Sequence, residues 1–141
     1  MAGSELRRNA LAGMERFTQR ARKVLALAHQ EAERMHQPAI GTEHMLLGLI
    51  NEMGGIASRV LQELGLEPDR VKEITERLSP PGSQSEGQIE LSSGVQQVLE
   101  FSIEEARRLG HHYIGAEHLL LALIRSDQGL AGEVLKKLGL T

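Results

Sequence analysis

Two short stretches hold the residues whose types and spacing could do chemistry: Gly41-Thr42-Glu43-His44 and Gly115-Ala116-Glu117-His118. A carboxylate matches the planar fork of a guanidinium with two parallel hydrogen bonds. A helix start capped by a hydroxyl is a natural seat for a phosphate, and Thr18 and Ser92 hold such positions. A site combining both groups would take an arginine that carries a phosphoryl group. A second reading stays open, in which Glu43 and Glu117 only stabilise helix starts through the macrodipole. Paired carboxylates can also hydrolyse a glycosidic bond, but that chemistry needs a deep cleft with aromatics to grip the sugar. The chain has two Phe and one Tyr.

The histidines do not form a metal motif. There is no H-E-x-x-H, and a Glu directly followed by a His places the two side chains about 100° apart around a helix. His44 and His118 are expected to be buried, hydrogen-bonded structural residues, and His111-His112 a solvated loop. No G-x-x-x-x-G-K-[ST] phosphate loop occurs, so the chain is not by itself a P-loop ATPase. No catalytic residue, metal ligand or cofactor is assigned.

The elements that must position these groups follow from periodicity. Ala21, Val24, Leu25, Ala28, Ala32 and Met35 give one apolar stripe, predicting a helix from an N-cap at Thr18 to about Met35, ended by Pro38. Thr42 is expected to cap a second helix, apolar nearly all round, that runs to Gly54-Gly55. Ile56, Ala57, Val60, Leu61 and Leu64 mark a third helix stopped by Gly65, and Pro68 opens a fourth. Ser79 to Glu90 is rich in Pro, Gly and Ser and reads as a linker. After it the pattern returns: an offset of 74 aligns 18–66 with 92–140 without a gap and matches 20 of 49 positions. The second unit should therefore hold helices near 93–109, 116–125 and 129–138, with no counterpart of the fourth. The expected organisation is a leader at 1–13, disordered or foreign to the fold, then one domain at 14–141. That domain comprises repeat one (14–78), the linker (79–90) and repeat two (91–141). The fold class is all-α: two tandem pseudo-twofold repeats of four and then three to four helices.

Composition agrees. Aromatics are 2% of the chain and Trp is absent, so the core must be built from Leu, Ile, Val, Ala and Met, which suits packed helices. A net charge of −3 leaves no basic footprint for nucleic acid. The apolar run Met45 to Ile50 is far too short to span a bilayer. With no Cys there is no disulfide framework, which fits a reducing, cytoplasmic setting.

The repeated signature resembles the N-terminal domain of Clp unfoldases, of the ClpC type, over about residues 14–140. The resemblance rests on Arg16-Phe17-Thr18, Ala21, Lys23-Val24-Leu25, Glu31-Ala32, Ile40 to His44 with Leu46 to Leu49, and Val60-Leu61 with Leu64-Gly65. In the second copy it rests on Glu105-Ala106-Arg107, Leu109-Gly110-His111, Tyr113 to Gly115, Glu117-His118 and Leu135 to Gly139. It implies a non-enzymatic all-α domain that receives protein substrates and adaptor proteins for an ATPase ring and its protease. In ClpC-type members it implies binding of phosphorylated arginine, with Glu43 and Glu117 on the guanidinium and Thr18 and Ser92 on the phosphate. The second copy departs from the family pattern: Ser92-Ser93-Gly94 lacks counterparts of Arg20 and Lys23, and Ala116 replaces Thr42. The stronger site is thus expected at Thr18 with Glu43. The alternative is a stand-alone adaptor or regulatory subunit that docks on a Clp machine and binds no arginine mark.

Overall fold

Thr18 starts the first long helix because its hydroxyl accepts a hydrogen bond from the Ala21 amide (3.1 Å), satisfying one orphan donor of the first turn. In the computed structural model, which describes residues 14–52, 55–78 and 89–126, helix α1 then runs over Gln19–Arg34. It buries Ala21, Val24, Ala28 and Ala32, the stripe predicted from spacing. Its end is set before Pro38. His36 takes a left-handed φ of 55°, and the Gln37 amide donates back to the Ala32 carbonyl (2.9 Å). The equivalent residue of the second copy is Gly110, at φ 74°, where the missing Cβ removes the strain.

Helix α2 (Thr42–Asn51) is buried from Thr42 to Ile50 and runs antiparallel to α1. Arg20 at the start of α1 reaches Glu52 just beyond the end of α2 (3.4 Å), and Gly48 lies against Val24 and Ala28. A Cβ on Gly48 would stand 2.5 Å from the Val24 carbonyl oxygen. Gly48→Ala should therefore force the two helices apart and destabilise the domain by about 1–3 kcal/mol. The check is a lower denaturant midpoint at unchanged m. An unchanged midpoint would show that the helices separate freely.

Helix α3 (Ile56–Glu63) forms where predicted but presents much of its apolar surface outward: Ala57 and Leu61 are buried, while Ile56, Val60 and the C-cap Leu64 are exposed. Ser58 takes an inward place because its hydroxyl donates to the Ile50 carbonyl (3.1 Å). Gly65 follows at φ 88°. Helix α4 (Pro68–Leu78) opens on its proline and packs on α2, burying Val71 and Thr75.

In the second unit Ser92 caps helix α5 (Ser93–Arg108), accepting from the Val95 amide (3.2 Å), and helix α6 (Ala116–Arg125) follows. The leader at 1–13, most of the linker (79–88) and the expected helix at 129–138 lie outside the described residues. The linker's end does not: Glu90 and Leu91 form a short strand β2 (Glu90–Leu91), parallel to β1 (Ala39–Ile40), with Glu90 opposite Ala39. Ile40 thus lies opposite Leu91, and an isolated parallel bridge sets Phe17 opposite Ile114. Adding 74 to Phe17 and Ile40 gives Leu91 and Ile114, so the two pairings are images under the pseudo-twofold. Side chains from both copies share one core, including Phe17, Ile40, Leu46, Val95, Ile114 and Leu119. The all-α class holds, with these two clasps as its β exceptions among the described residues. No helix among those residues is long and apolar enough to cross a membrane.

Candidate functional site

The crossed clasps decide which groups meet. The Ser92 amide donates to the Ile40 carbonyl (3.0 Å), and the Thr18 amide donates to the Ile114 carbonyl (2.9 Å). Each hydroxyl-capped helix start is thereby fastened directly ahead of the other copy's Gly-x-Glu-His. Thr18 stands beside Gly115 to Glu117, and Ser92 beside Gly41 to Glu43. Thr42 contributes a methyl 3.2 Å from where a Cβ on Gly94 would lie, so Gly94 makes the room that Thr42 fills. Within its own copy Thr18 is at the wrong end: antiparallel packing puts it with Glu52, while Glu43 lies at the Arg34 end of α1. The expected union of Thr18 with Glu43 is therefore not formed. Hydroxyl and carboxylate are exchanged between copies, giving Thr18 with Glu117 and Ser92 with Glu43.

Both carboxylates fold back over the glycine two residues earlier. A Cβ on Gly41 would be 2.1 Å from Glu43 Oε1, and one on Gly115 would be 2.3 Å from Glu117 Oε1. The glycines have φ of −96° and −103°, a conformation open to any residue, so they serve space rather than backbone freedom. Glu43 is 7% exposed and Glu117 half-buried. Among the described residues neither carboxylate makes a hydrogen bond or ion pair. The oxygens of neither carboxylate are sealed from solvent, and both sit at a helix start where the macrodipole favours negative charge. Gly41→Ala should displace the Glu43 carboxylate at the flexible end of its side chain. We expect affinity for a guanidinium ligand to fall about tenfold, or ~1.4 kcal/mol, while unfolding stability changes by less than about 1 kcal/mol. Parallel binding isotherms and melts of the variant check this; a loss of stability as large as the loss of affinity would refute it.

The cap of α2 is Gly41, not Thr42, which is the first helical residue. With no side chain at the cap, the donor left over is the cap's own amide, and His44 Nδ1 accepts it (2.8 Å). His118 Nδ1 does the same for Gly115 (2.8 Å). The imidazole thus fills the part that Glu or Gln plays in a capping box. An accepting Nδ1 leaves the proton on Nε2, and in the second copy His118 Nε2 donates it to His111 Nδ1 (2.8 Å). His111 in turn stacks on Tyr113 with ring centroids 5.0 Å apart. His111 is therefore a half-buried partner of the site and not the solvated loop residue expected; His112 is the exposed member. Gln37 stands at the position of His111 in the first copy, and there His44 Nε2 is buried without a hydrogen-bond partner. Burial lowers the pKa of both His44 and His118, against upward pulls from Glu43 and Glu117 respectively.

The two seats differ in charge. The first turns after Thr18 carry Arg20, which shares Glu52, and the exposed Lys23. The corresponding residues after Ser92 are Gly94 and Gln97, with no cation. In both turns the leading backbone amides have no intrahelical acceptor and point outward. No group of three or more His, Asp or Glu among the described residues could hold a metal ion.

Fold and site together define a two-repeat helical binding domain with carboxylates held at helix mouths. The chain belongs to the Clp repeat (R) N-terminal domain family, which matches residues 16–138. It is 49% identical over 126 residues to the chaperone protein ClpB of Oceanobacillus iheyensis, covering 89% of this chain and 16% of that protein. It is 48% identical over 126 residues to the negative regulator of genetic competence ClpC/MecB of Bacillus subtilis, with the same coverage. The chain thus spans about one sixth of the length of these relatives. Among solved structures it is similar to the N-terminal domain of the caseinolytic protease-associated chaperone ClpD from Arabidopsis thaliana. That match has a TM-score of 0.76 at 30% identity and covers 91% of this chain and 90% of the other. A ClpV N-domain in complex with a VipB peptide shares the fold, with a TM-score of 0.71 at 20% identity over 87% of this chain and 77% of the other.

Proposed function

We propose that this domain receives protein substrates and adaptor proteins for a Clp-type unfoldase and protease in the cytoplasm, and that it recognises phosphorylated arginine on them. The observation that carries this reading is the Glu43 carboxylate, held over Gly41 without a protein partner, beside the Ser92-capped start of a helix from the other repeat. Glu117 beside Thr18 repeats it. Guanidinium would bridge to the carboxylate, and phosphoryl oxygens would take the hydroxyl and the free amides of the helix start. Family membership supports the receptor class, and the ClpV N-domain that holds a VipB peptide is a relative in fold that binds a protein segment.

The test is an NMR titration with free phosphoarginine. Saturable shifts are expected at Thr18 and Gly115 to Glu117, and at Ser92 and Gly41 to Glu43, with little response to arginine or phosphate alone. The absence of saturable shifts, or an equal response to phosphate, would remove the proposal.

A further inference from the structure

The two seats differ in the charge that surrounds them. Residues 16–23, which carry Thr18, include Arg16, Arg20, Arg22 and Lys23, all four exposed and with no acidic residue among them. The offset of 74 sets Glu90, Gly94, Gln96 and Gln97 at the same positions around Ser92. Arg16 is fixed at the mouth of its seat, because its carbonyl accepts from the Ile114 amide (2.9 Å), one residue before Gly115. Lys23 lies one turn beyond Gln19 on the exposed face of α1. Neither side chain is held in an ion pair among the described residues. Arg20 is partly answered by Glu52 (3.4 Å), and Glu15 precedes the segment, yet the cations remain in excess. At the Ser92 seat the balance is reversed. Glu90 is exposed there, and the Gln96 side-chain amide is used on the Leu91 carbonyl (3.2 Å).

A marked arginine arrives within a chain, and residues two places to either side of it lie within about 7 Å of the seat when that chain is extended. This is inside the ~8 Å screening length at physiological salt, so their charge is felt. We propose that the two seats select different sequences around phosphoarginine. The Thr18–Glu117 seat takes the mark among acidic residues, and the Ser92–Glu43 seat takes it among neutral or basic ones. Arg16 and Lys23 set the difference by acting on the neighbours of the marked residue. Each exposed ion pair is weak, but several of one sign acting on one segment should give about a tenfold preference at low salt, shrinking as salt is added. The proposal rests on the phosphoarginine reading of the seats and extends it from the mark to the sequence around it.

Two labelled peptides test it, each with one central phosphoarginine, flanked on both sides by Asp or by Ser. Fluorescence anisotropy is read on Glu43→Gln protein, which keeps the Thr18 seat, and on Glu117→Gln protein, which keeps the Ser92 seat. The acidic peptide should bind the Thr18 seat about tenfold more tightly than the neutral one, and the Ser92 seat several-fold more weakly. Arg16→Glu with Lys23→Gln should erase the acidic preference at the Thr18 seat, and Glu90→Arg with Gln97→Lys should create it at the Ser92 seat. These changes exchange residues that the two copies already hold at equivalent positions, so the fold accommodates both sets. The same preference at both seats, or one unmoved by the exchanges, would overturn the proposal while leaving phosphoarginine recognition in place. Equal binding of the acidic peptide without its phosphoryl group would reduce the effect to unspecific attraction and overturn it too. No binding of either phosphorylated peptide would remove the underlying reading and this proposal together.

Discussion

Replacing Glu117 by glutamine should weaken phosphoarginine binding at the seat that contains Thr18 and leave the Ser92 seat intact. Glu43→Gln should do the reverse. Glutamine keeps the shape of the side chain but removes the charge and turns one acceptor into a donor facing a guanidinium. Hydrogen bonds to charged groups contribute about 1.5–3 kcal/mol, so each site should weaken by about 10- to 100-fold. The pairing itself can be tested by coupling. Thr18→Ala combined with Glu117→Gln should be clearly non-additive, because both act on one bound ligand, whereas Thr18→Ala with Glu43→Gln should add. Lys23 and Arg20 flank the Thr18 seat alone, so that seat should be the tighter of the two and the more sensitive to salt. Calorimetric titration of the single and double variants reads all of these. Coupling of Thr18 to Glu43 instead of Glu117 would mean that the hydroxyls are not exchanged between the copies, and two equal sites would show that the cations do not matter.

What could be read from the chain was whatever depends on nearby residues. The stripe of Ala21, Val24, Ala28 and Ala32, the caps Thr18 and Ser92, the stop at Gly65 and the opening proline of α4 all follow from local geometry and local hydrogen bonding. The offset of 74 likewise made the pseudo-twofold visible. The exchange of Thr18 and Ser92 between copies was not visible, because it rests on two clasps at most two residues long, and so short a strand has no periodicity. The available signal was the apolar residue before each hydroxyl (Phe17, Leu91) and before each glycine (Ile40, Ile114): four buried or half-buried side chains that needed partners. The helix start at Gly41 was displaced by one residue because Thr42 is a better cap by propensity, whereas a glycine cap gives no side-chain signal. The reason for glycine lies in the space that the Glu43 carboxylate occupies. His111 was hidden because it lies in the irregular segment before α6, where no helical period carries its side chain toward His118.

Acid should loosen the same helix starts through His44 and His118. Both are essentially inaccessible and held neutral by burial, with pKa values lowered from the ordinary 6.5. Glu43 and Glu31 pull His44 upward and Arg34 opposes them; for His118 the upward pulls come from Glu117 and Glu105, and His111 opposes them. In the unfolded chain each would titrate near 6.5. Above that pH both states are neutral, and the stabilising contribution is fully present. Below it the unfolded state takes up protons that the native state refuses, so stability falls by about 1.4 kcal/mol per pH unit for each imidazole until the native pKa is reached. Once Nδ1 is protonated it can no longer accept from the Gly41 or Gly115 amide, and the cap that seats the neighbouring carboxylate is lost. His44→Gln and His118→Gln keep an acceptor oxygen for the glycine amide and remove the titration. Each should remove about half of the pH dependence of the denaturation free energy between pH 7 and 5, and the double variant nearly all of it. A double variant with the wild-type slope would assign the acid sensitivity to groups other than these two caps.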